Sequence, residues 1–418
     1  MTTFSGLVDQ PRRGDVRLRP IVGDTVQFRE DDPILPRSIV DRFALLPGTS
    51  VEVELGSKVA GVQQNGKGRN SRNGRGRRGR QSGRQGGNSV KAPVAERLLT
   101  IEGIAADDAP EPTPFDELTT VDPSPRMTLE YPGCAASCRL VDLFCPIGFG
   151  QRAMVVSPPK AGKTTLLKDI ATAILRNHDH TELFVLLVDE RPEEVTDFRR
   201  SLTGHGPDDP DRPWDSDRVT VVASSADHEA ERHIQVATVT MERCKRLVEL
   251  GKDVVIILDS LTRLGRAFNR SREYSSSGRT LSGGIDSKAL EVPRQLFGAA
   301  RQTEEAGSLT IIATALIDTG GQGDQVIFEE FKGSGNMELI LDRKVAERRL
   351  FPAMNLAASG TRKEDLLMPK QELETVNALR RRLLSMPPPQ QIEQLLGALK
   401  RFETNEDLIG MNRATSSA

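Results

Sequence analysis

The chain has 418 residues, of which 37% are hydrophobic, 28% charged and only 4% aromatic. This length corresponds to roughly two or three domains, and the sequence contains no apolar run long enough for an ordinary transmembrane helix. The start of the chain lacks the apolar segment of a secretory signal, and four cysteines are too few for a disulfide scaffold. We therefore expect a cytoplasmic protein with no membrane partner.

The net charge of −2 conceals a strongly basic segment. Residues 61–92 contain nine lysines or arginines and no acid, which leaves −11 for the remainder. Such a local excess predicts an anionic partner rather than a particular fold. Its cations are Lys67, Arg69, Arg72, Arg75, Arg77, Arg78, Arg80, Arg84 and Lys91.

Residues 4–60 read as short strands separated by Gly and Pro turns, with a short helix at Ser38–Leu45 and a further strand at Arg97–Ile101. About five strands predict a small OB-like or cold-shock-like β-barrel over residues 1–105. The Arg/Gly-rich stretch 61–92 has too few apolar side chains to order itself, so we expect a disordered insertion there. Residues 106–128 are rich in proline and acids and predict an extended linker.

Beyond this linker, buried-type strands alternate with amphipathic helices. Helices are expected at Thr164–Asn177 and His228–Leu250, and the last 50 residues also read as helical, around Lys370–Leu384 and Pro389–Phe402. Strands are expected at Met154–Val156, Leu183–Val188, Val219–Ala223, Val254–Leu258, Leu309–Ala315 and Met337–Leu341. This alternation predicts an α/β domain with a mostly parallel sheet over residues 129–418.

The strongest local motif is the run Ser157 to Thr165, which follows a strand and opens a helix. Backbone N–H groups in such a P-loop cradle phosphates. We expect Lys163 to reach the β- and γ-phosphates and Thr164 to hold Mg²⁺. Ser157 stands where the motif usually has its first glycine, and a plain glycine turn before a helix is the alternative.

Two further strands end in carboxylates. Asp259 follows the apolar run Val254–Leu258, as in a Walker B strand, and would also bind Mg²⁺. Glu190 follows Leu186–Val188 and is the best candidate to polarise the attacking water. The nearby Glu193 and Glu194 are better explained as acids favoured by a helix N-terminus.

Two glycine-rich loops, at 274–284 and 331–336, combine small residues with a cation, which suits close approach to a nucleic-acid backbone. Composition alone equally favours plain surface loops. Arg362 lies in another loop and is either simply solvated or, in a ring ATPase, an arginine finger that reaches a neighbouring γ-phosphate.

The motifs between Pro146 and Leu367 together resemble the motor domain of the bacterial transcription termination factor Rho family. The resemblance rests on the P-loop, Asp189–Thr196, Leu258–Leu264, Gly298–Arg301, Ile311–Gly320 and Glu329–Glu338. It implies a RecA-like P-loop ATPase that follows an OB-like RNA-binding domain. It also implies a homohexameric ring that uses ATP, single-stranded RNA and RNA polymerase, and acts as a 5′-to-3′ helicase that terminates transcription.

The resemblance assigns roles to individual positions. Glu190 would be the base, Lys163 and Thr164 would act on the nucleotide and its Mg²⁺, Phe351 would pack on the adenine, and Arg191 would contact nucleotide. Arg362 matches the finger supplied in trans, and Arg263 a second arginine at the subunit interface. The remaining ATP contacts would be Gly148, Phe149, Gly150, Gln151, Arg152, Ala153, Lys160, Ala161, Gly162 and Thr165. The loop 274–284 with Arg279, Thr280 and Gly283 matches one RNA-binding pore loop, and Lys332 with Gly333 the other.

The barrel departs from the family pattern. The stretch Gly14–Arg19, which carries Arg17 and Arg19 as RNA-binding candidates, lacks the family's base-stacking aromatics, and the position expected to hold a tyrosine is Ile34. We hypothesise that the Arg-rich insertion replaces the missing stacking by phosphate attraction, which predicts salt-dependent, weakly sequence-selective binding. A surface insertion with no role is the alternative.

Other classes remain open at this point. A different ring ATPase, such as a rotary or secretion ATPase, would share the P-loop logic without the Arg-rich insertion. A non-enzymatic RNA-binding protein with a decayed motor would not need the intact set of Lys163, Glu190 and Asp259. The spacing of Cys134, Cys138 and Cys145 is poor for zinc, and ordinary packing explains these residues better.

Overall fold

A computed structural model describes residues 2–12, 14–22, 25–61, 91–203 and 216–410. The chain divides into two compact units that meet between Glu111 and Pro112, six residues beyond the barrel boundary expected from the sequence. The RNA-binding candidates of the basic insertion lie outside the described residues: Arg69, Arg72, Arg75, Arg77, Arg78 and Arg80.

The first unit is an antiparallel β structure. Its elements are β1 (Thr2–Asp9), β2 (Arg17–Arg19), β3 (Ile21–Val22), β4 (Thr25–Val26), α1 (Arg37–Arg42), β5 (Ser50–Gly61), β6 (Lys91–Ile101) and β7 (Ile104–Ala105). The sheet order is β2-β1-β5-β6-β7. Ile34 forms bridges to both Arg17 in β2 and Val94 in β6, so the sheet curls until its edges meet.

This closure produces the small barrel expected from the sequence. Alternate side chains point into it, among them Val8, Leu18, Val51 and Val53, all at most 2% exposed. Irregular register in the β5–β6 pair supplies the extra bending that a closed sheet needs. The expected insertion is shorter than predicted, because its ends Gly61, Lys91 and Ala92 belong to these two strands.

The second unit is built on a mostly parallel sheet. Its strands are β8 (Thr120–Val121), β9 (Arg126–Met127), β10 (Ile147–Gly148), β11 (Arg152–Ser157), β12 (Thr181–Glu190), β13 (Val219–Ser225), β14 (Asp253–Asp259), β15 (Arg301–Thr303), β16 (Ser308–Leu316), β17 (Met337–Ile340) and β18 (Gly360–Thr361). The main order is β13-β12-β14-β16-β11-β17-β18, in which β18 runs antiparallel. Val254 to Leu258 in β14 are at most 1% exposed, as a strand covered on both faces should be.

Helices cover this sheet. They are α2 (Ala136–Phe144), α3 (Lys163–Asn177), α4 (Pro192–Leu202), α5 (Ala230–Glu249), α6 (Leu261–Arg270), α7 (Glu291–Gly298), α8 (Gln322–Phe331), α9 (Arg343–Glu347), α10 (Lys370–Leu383), α11 (Pro388–Leu399) and α12 (Asn405–Ile409). The apolar side chains of α3 repeat at helical spacing, and Leu167, Ile170 and Ile174 are fully buried. The predicted helix at 389–402 is in fact α11, which ends at Leu399 and is followed by α12.

The predicted linker 106–128 is extended only in part. Its second half belongs to the α/β unit, because β8 pairs with β15 and Phe115 is 1% exposed. The backbone N–H of Phe115 donates to Glu249 Oε1 on α5 at 2.5 Å. The buried Phe115 side chain therefore anchors a segment that composition alone predicts to be an extended linker without tertiary contacts.

Within the part of the chain that the structure describes, none of the helices combines the length and apolarity needed to cross a membrane.

Candidate functional site

The P-loop follows the carboxyl end of β11 and leads directly into α3. Gly162 sits at the N-cap of α3 with φ +88°, and Lys160 also has a positive φ of 65°. No side chain caps this helix, so the N–H groups of its first turn remain available to an anion. Ala161 is buried and anchors the loop, while Thr165 is exposed.

Lys163 links the P-loop to the Walker B strand. Its Nζ lies 2.5 and 2.6 Å from the two carboxylate oxygens of Asp259, which is 1% exposed. Asp259 ends β14 and also accepts a hydrogen bond from Thr314 Oγ1 at 2.8 Å. This buried carboxylate and the Thr164 hydroxyl in the first turn of α3 are the oxygen donors that Mg²⁺ prefers.

Glu190, at the end of β12, is the third charged side chain at this site, beside Lys163 and Asp259. The β12–β13 register shifts between Val188 and Glu190, and Asp189 has φ +56°. This bulge turns Glu190 inward until it is 1% exposed. Its Oε1 lies 3.7 Å from Lys163 Nζ and 3.2 Å from Arg263 Nη2.

The carboxylate of Glu190 is buried without a hydrogen-bond donor on either oxygen among the described residues. Burial, reinforced by the charge of Asp259, raises its pKa to about 7, although Lys163 and Arg263 act in the opposite direction. A buried acceptor with unused capacity next to a P-loop is suited to hold and activate a water molecule.

Arg263 belongs to this same group. Helix α6 begins after Ser260, whose hydroxyl accepts the Arg263 N–H at 3.2 Å. The Arg263 guanidinium donates to the carbonyl of Asp189, which fixes the bulge before Glu190. The structure therefore places Arg263 beside the base of its own chain, and its location at a subunit interface stays a prediction.

Phe351 lies beside the phosphate loop, and Arg191 follows Glu190 in the chain. Phe351 is 40% exposed, and its ring edge is so close to Gly162 that a Cβ added there would lie 3.0 Å from Cδ1. The ring thus lies next to the loop, as adenine packing requires. Arg191 is the exposed N-cap residue of α4, adjacent to Glu190.

The segment Gly148–Ala153 is not brought together with the P-loop. It precedes and begins β11, whereas the P-loop follows the end of this strand, so six strand residues, or roughly 20 Å, separate the two. Gln151 is 1% exposed and bonds to Asn336 Oδ1 at 2.6 Å. The structure thus separates this segment from Lys163 within one chain. That a nucleotide held between subunits is bordered by both stays a prediction for Gly148, Phe149, Gly150, Gln151, Arg152 and Ala153.

Arg362 lies at this far end as well. Its N–H donates to the Asn336 carbonyl at 2.8 Å, and the Asn336 N–H donates to the Arg152 carbonyl at 3.0 Å. These two backbone hydrogen bonds connect Arg362 through Asn336 to Arg152, the first residue of β11. Arg362 thus stands at the opposite edge of the sheet from the P-loop of its own chain.

The loop 274–284 packs on the start of α8. Gly283 has φ +70°, and a Cβ there would lie 2.5 Å from the backbone N of Gly323. Arg279 and Thr280 are exposed. The other predicted RNA-binding pair, Lys332 and Gly333, follows the carboxyl end of this ten-residue helix, roughly 15 Å away.

The segment before α8 is therefore the neighbour of loop 274–284. Asp318 has φ +54°, and the Thr319 hydroxyl bonds to Asp324 at 2.5 Å. Sequence reasoning missed this segment because it contains no cation; its run of Gly320 and Gly321 was the available signal. Lys332 instead lies 3.8 Å from Glu329 and over the Phe328 ring.

In the barrel, Arg19 is not available to RNA. It is 6% exposed, and its guanidinium lies 2.8 Å from Asp9 and 2.9 Å from Asp32. The prediction that Arg19 binds RNA is wrong because these two buried carboxylates already neutralise it. Arg17 is partly exposed and donates to the carbonyls of Glu30 and Asp32 at 2.8 and 3.1 Å.

Residues 137–361 match the ATP synthase alpha/beta family, nucleotide-binding domain. Transcription termination factor Rho of Mycobacterium leprae is 44% identical over 97% of this chain and 65% of the relative. Transcription termination factor Rho of Bacillus subtilis is 49% identical over 74% of this chain and 69% of the relative.

The solved structure of a prototypical ATPase from the type III secretion system of pathogenic bacteria is 22% identical, with a TM-score of 0.55 over 71% of this chain and 78% of that one. This likeness shows the fold alone, a RecA-like P-loop α/β domain. The chain spans less than two thirds of the length of the Mycobacterium leprae relative, at 65%.

Proposed function

Because this chain belongs to the transcription termination factor Rho family, we propose that it is an RNA-stimulated ATPase that translocates along RNA and releases transcripts from RNA polymerase. The observation that carries the ATPase part is the convergence of Lys163, Asp259 and Glu190 at the carboxyl edge of one parallel sheet. Ligands bind at this edge in open α/β folds.

Within one chain, the site supplies the nucleotide cradle and the base. The N–H groups at the start of α3 bind phosphate oxygens, and Lys163 exchanges its partner Asp259 for the β- and γ-phosphates. Glu190 accepts a hydrogen bond from the attacking water and takes its proton as the water attacks the γ-phosphorus. Phe351 packs on the base of the nucleotide.

The donor set fits Mg²⁺. Asp259 is a buried carboxylate that bonds to Lys163, whose long side chain is able to move away. Thr164 lies in the first turn of α3 and supplies a hydroxyl oxygen. Bound Mg²⁺ would supply charge neutralisation for the phosphates. Asp259 and Thr164 are the residues that would hold it.

The site is incomplete in a single chain. Its own Arg362 is at the far edge of the sheet, so the charge that develops on the γ-phosphate needs an arginine from elsewhere. A ring of identical subunits provides it, because each Arg362 then faces the next subunit's P-loop. We accordingly propose a homohexamer that acts in the cytoplasm.

RNA contacts divide between the two units. We propose that loop 274–284, with Arg279, Thr280 and Gly283, contacts the RNA backbone together with the segment 318–323 that packs on it. We propose the same role for Lys332 and Gly333, which follow the carboxyl end of α8. The barrel provides a second RNA site, to which Arg17 and the basic insertion contribute.

A strand-displacement assay tests the translocase. The substrate is an RNA–DNA duplex with a single-stranded RNA tail at either the 5′ or the 3′ end. We expect ATP-dependent displacement from the 5′-tailed substrate only, and release of transcripts from stalled elongation complexes. Lys163→Ala is the matched inactive control. Equal displacement without ATP, or none from either substrate by a protein that hydrolyses ATP, would contradict the proposal and favour a different ring ATPase.

A further inference from the structure

A buried histidine, His233, lies next to the strand end that carries Glu190. It is in the first turn of α5 and is 1% exposed. Its Nδ1 lies 2.8 Å from the hydroxyl oxygen of Ser224, which is itself fully buried. Its Nε2 lies 3.9 Å from Asp189 Oδ1. The imidazole therefore stands between the end of β13 and the residue that precedes Glu190.

The register of the sheet explains why these groups meet. In the pair of β12 and β13, Val188 lies opposite Ser224, and Glu190 lies opposite Ser225. Asp189 is therefore the extra residue of the β12 bulge, with no partner in this register. Because α5 begins soon after β13 ends, its first turn returns over the same strand end and places the imidazole beside the bulge.

The bulge at Asp189 needs contacts that hold it in place. Its φ of +56° is left-handed, a conformation that costs free energy for a residue other than glycine. The Arg263 guanidinium donates to the Asp189 carbonyl, and the Ala226 N–H donates to the Glu190 carbonyl at 3.1 Å. Both of these contacts fix backbone oxygens. The Asp189 carboxylate, in a side chain that is 15% exposed, has His233 at ion-pair distance.

The hydrogen bond of the ring to Ser224 determines which nitrogen faces Asp189. Burial lowers the pKa of His233, although Asp189 acts in the opposite direction, so the neutral imidazole is favoured at neutral pH. When the Ser224 hydroxyl donates to Nδ1, the single ring proton is on Nε2 and faces the Asp189 carboxylate. The other charged groups that act on the ring are Asp227, His228 and Arg270.

We propose that His233 is a positioning residue for ATP hydrolysis: its Nε2–H donates to the Asp189 carboxylate and so holds the bulge that directs Glu190 at the attacking water. Closing the 3.9 Å separation to hydrogen-bond length needs a movement of about 1 Å, and hydrogen bonds of this kind often shorten when the substrate complex forms. His233 acts through Asp189 rather than on the nucleotide. The inference rests on the proposed function, because it takes Glu190 as the base.

Two amide substitutions in the full chain separate the two contacts of the imidazole. The side-chain N–H of Gln reaches as far as Nε2, so His233→Gln keeps a donor for Asp189, whereas the shorter Asn in His233→Asn keeps a partner for Ser224 alone. We expect His233→Asn to lower the RNA-stimulated kcat about tenfold or more, with the Kd for ATP unchanged within a factor of about three. His233→Gln should recover most of the parent rate. Equal kcat values in the two variants would overturn the proposal.

Hydrogen–deuterium exchange of the amides at 187–191 reports on the bulge without any turnover. We expect faster exchange there in His233→Asn than in His233→Gln or the parent. Thr240→Val is the control, because Thr240 is equally buried on α5 and its hydroxyl has no hydrogen-bond partner among the described residues. A parent without RNA-stimulated hydrolysis would contradict the proposed function. Exchange at 187–191 that is identical in His233→Asn and the parent would contradict the role of His233, whatever the parent hydrolyses.

Discussion

The Glu190 carboxylate in the ATP site is subject to opposing electrostatic effects on its pKa. A carboxylate buried to 1% exposure would ordinarily be neutral, yet two cations lie within 3.7 Å of it. The balance leaves its pKa near 7, so at neutral pH a change in either neighbour alters its charge. A carboxylate with a pKa near neutral pH is suited to take and return a proton in each catalytic cycle.

ATP hydrolysis should therefore follow the ionisation of Glu190. Because its pKa is raised to about 7, the base is protonated below that pH, and we expect kcat to fall about tenfold per pH unit on the acid side. The pH dependence of kcat at saturating ATP and RNA measures this. Glu190→Asp should retain a similar acid limb at lower activity, and a rate independent of pH from about 5.5 to about 8 would contradict the assignment.

Sequence reasoning predicted that Lys163, Asp259 and Glu190 would lie together, and the structure places them in contact. Each lies at or just after the carboxyl end of a buried strand, and parallel strands bring their carboxyl ends to one edge of the sheet. Sequence reasoning failed at Arg19, because nothing local indicates that Asp9 and Asp32 fold over that side chain. The pairing of charges across the barrel is a tertiary property.

Among the secondary-structure elements, β11 separates the P-loop from Arg362, the two groups that the proposed ATPase reaction needs. The P-loop follows its carboxyl end, while Arg362 is tied through Asn336 to its amino end. A six-residue strand is too rigid and too long for both to serve one nucleotide. The apolar run predicted the strand itself, but it did not indicate that Gly148–Ala153 and the P-loop lie at opposite ends of it.

Removal of Arg362 should affect hydrolysis but not nucleotide binding to the same chain. We expect Arg362→Ala to lower kcat by about 10³-fold or more, with the Kd for ATP, measured by equilibrium binding, unchanged within a factor of about three. Arg343→Ala, which removes an exposed pair with Glu347, is the control and should retain full activity. Loss of ATP binding in Arg362→Ala would contradict a role in trans.

Helix α8 connects the ATP edge with the proposed RNA loop. The Arg266 guanidinium on α6 bonds to the buried Asp324 of α8 at 2.7 Å, and the start of α8 supports Gly283. Sequence reasoning chose Lys332 for its charge and did not indicate that the glycine-rich segment before the helix packs on loop 274–284. Close packing between two backbone segments does not require charged side chains, so the amino-acid composition does not indicate it.

The packing of Gly283 yields a matched pair of variants. Gly283→Ala should displace the loop, because its φ is +70° and the new Cβ would meet Gly323 N at 2.5 Å. Gly278→Ala has the same φ of +70° but open space around it, so it isolates the backbone cost of about 1 kcal/mol. We expect the first to weaken RNA stimulation of ATPase severalfold more than the second. Equal effects would show that the packing on α8 is not used.

At the scale of the whole molecule, a β-barrel precedes a P-loop α/β unit, and the insertion between β5 and β6 concentrates positive charge in an otherwise acidic protein. The stretch Gly14–Arg19 lacks the aromatic side chains that the family resemblance leads us to expect in the proposed RNA site of the barrel. Electrostatic attraction would then supply more of the affinity, which makes binding sensitive to salt.

Replacement of residues 62–90 by a short Gly-Ser turn should lower RNA affinity at low salt and flatten the dependence of log K on log salt. Every RNA phosphate that no longer pairs with a cation changes that slope by about 0.7 for single strands. A second variant keeps the length but changes the segment's arginines and lysines to Gln, and it should behave like the deletion. Unchanged affinity in both would assign the insertion no role in RNA binding.

The proposed function depends above all on RNA controlling ATP hydrolysis at Glu190. Steady-state ATP hydrolysis is compared with and without single-stranded RNA, for the parent chain and for Glu190→Gln, with assembly into rings confirmed for both. We predict strong RNA stimulation in the parent, and a fall of about 10²-fold or more in the stimulated rate of the variant. Equal hydrolysis with and without RNA in the parent, or a Glu190→Gln variant whose RNA-stimulated rate equals that of the parent, would contradict the proposed function.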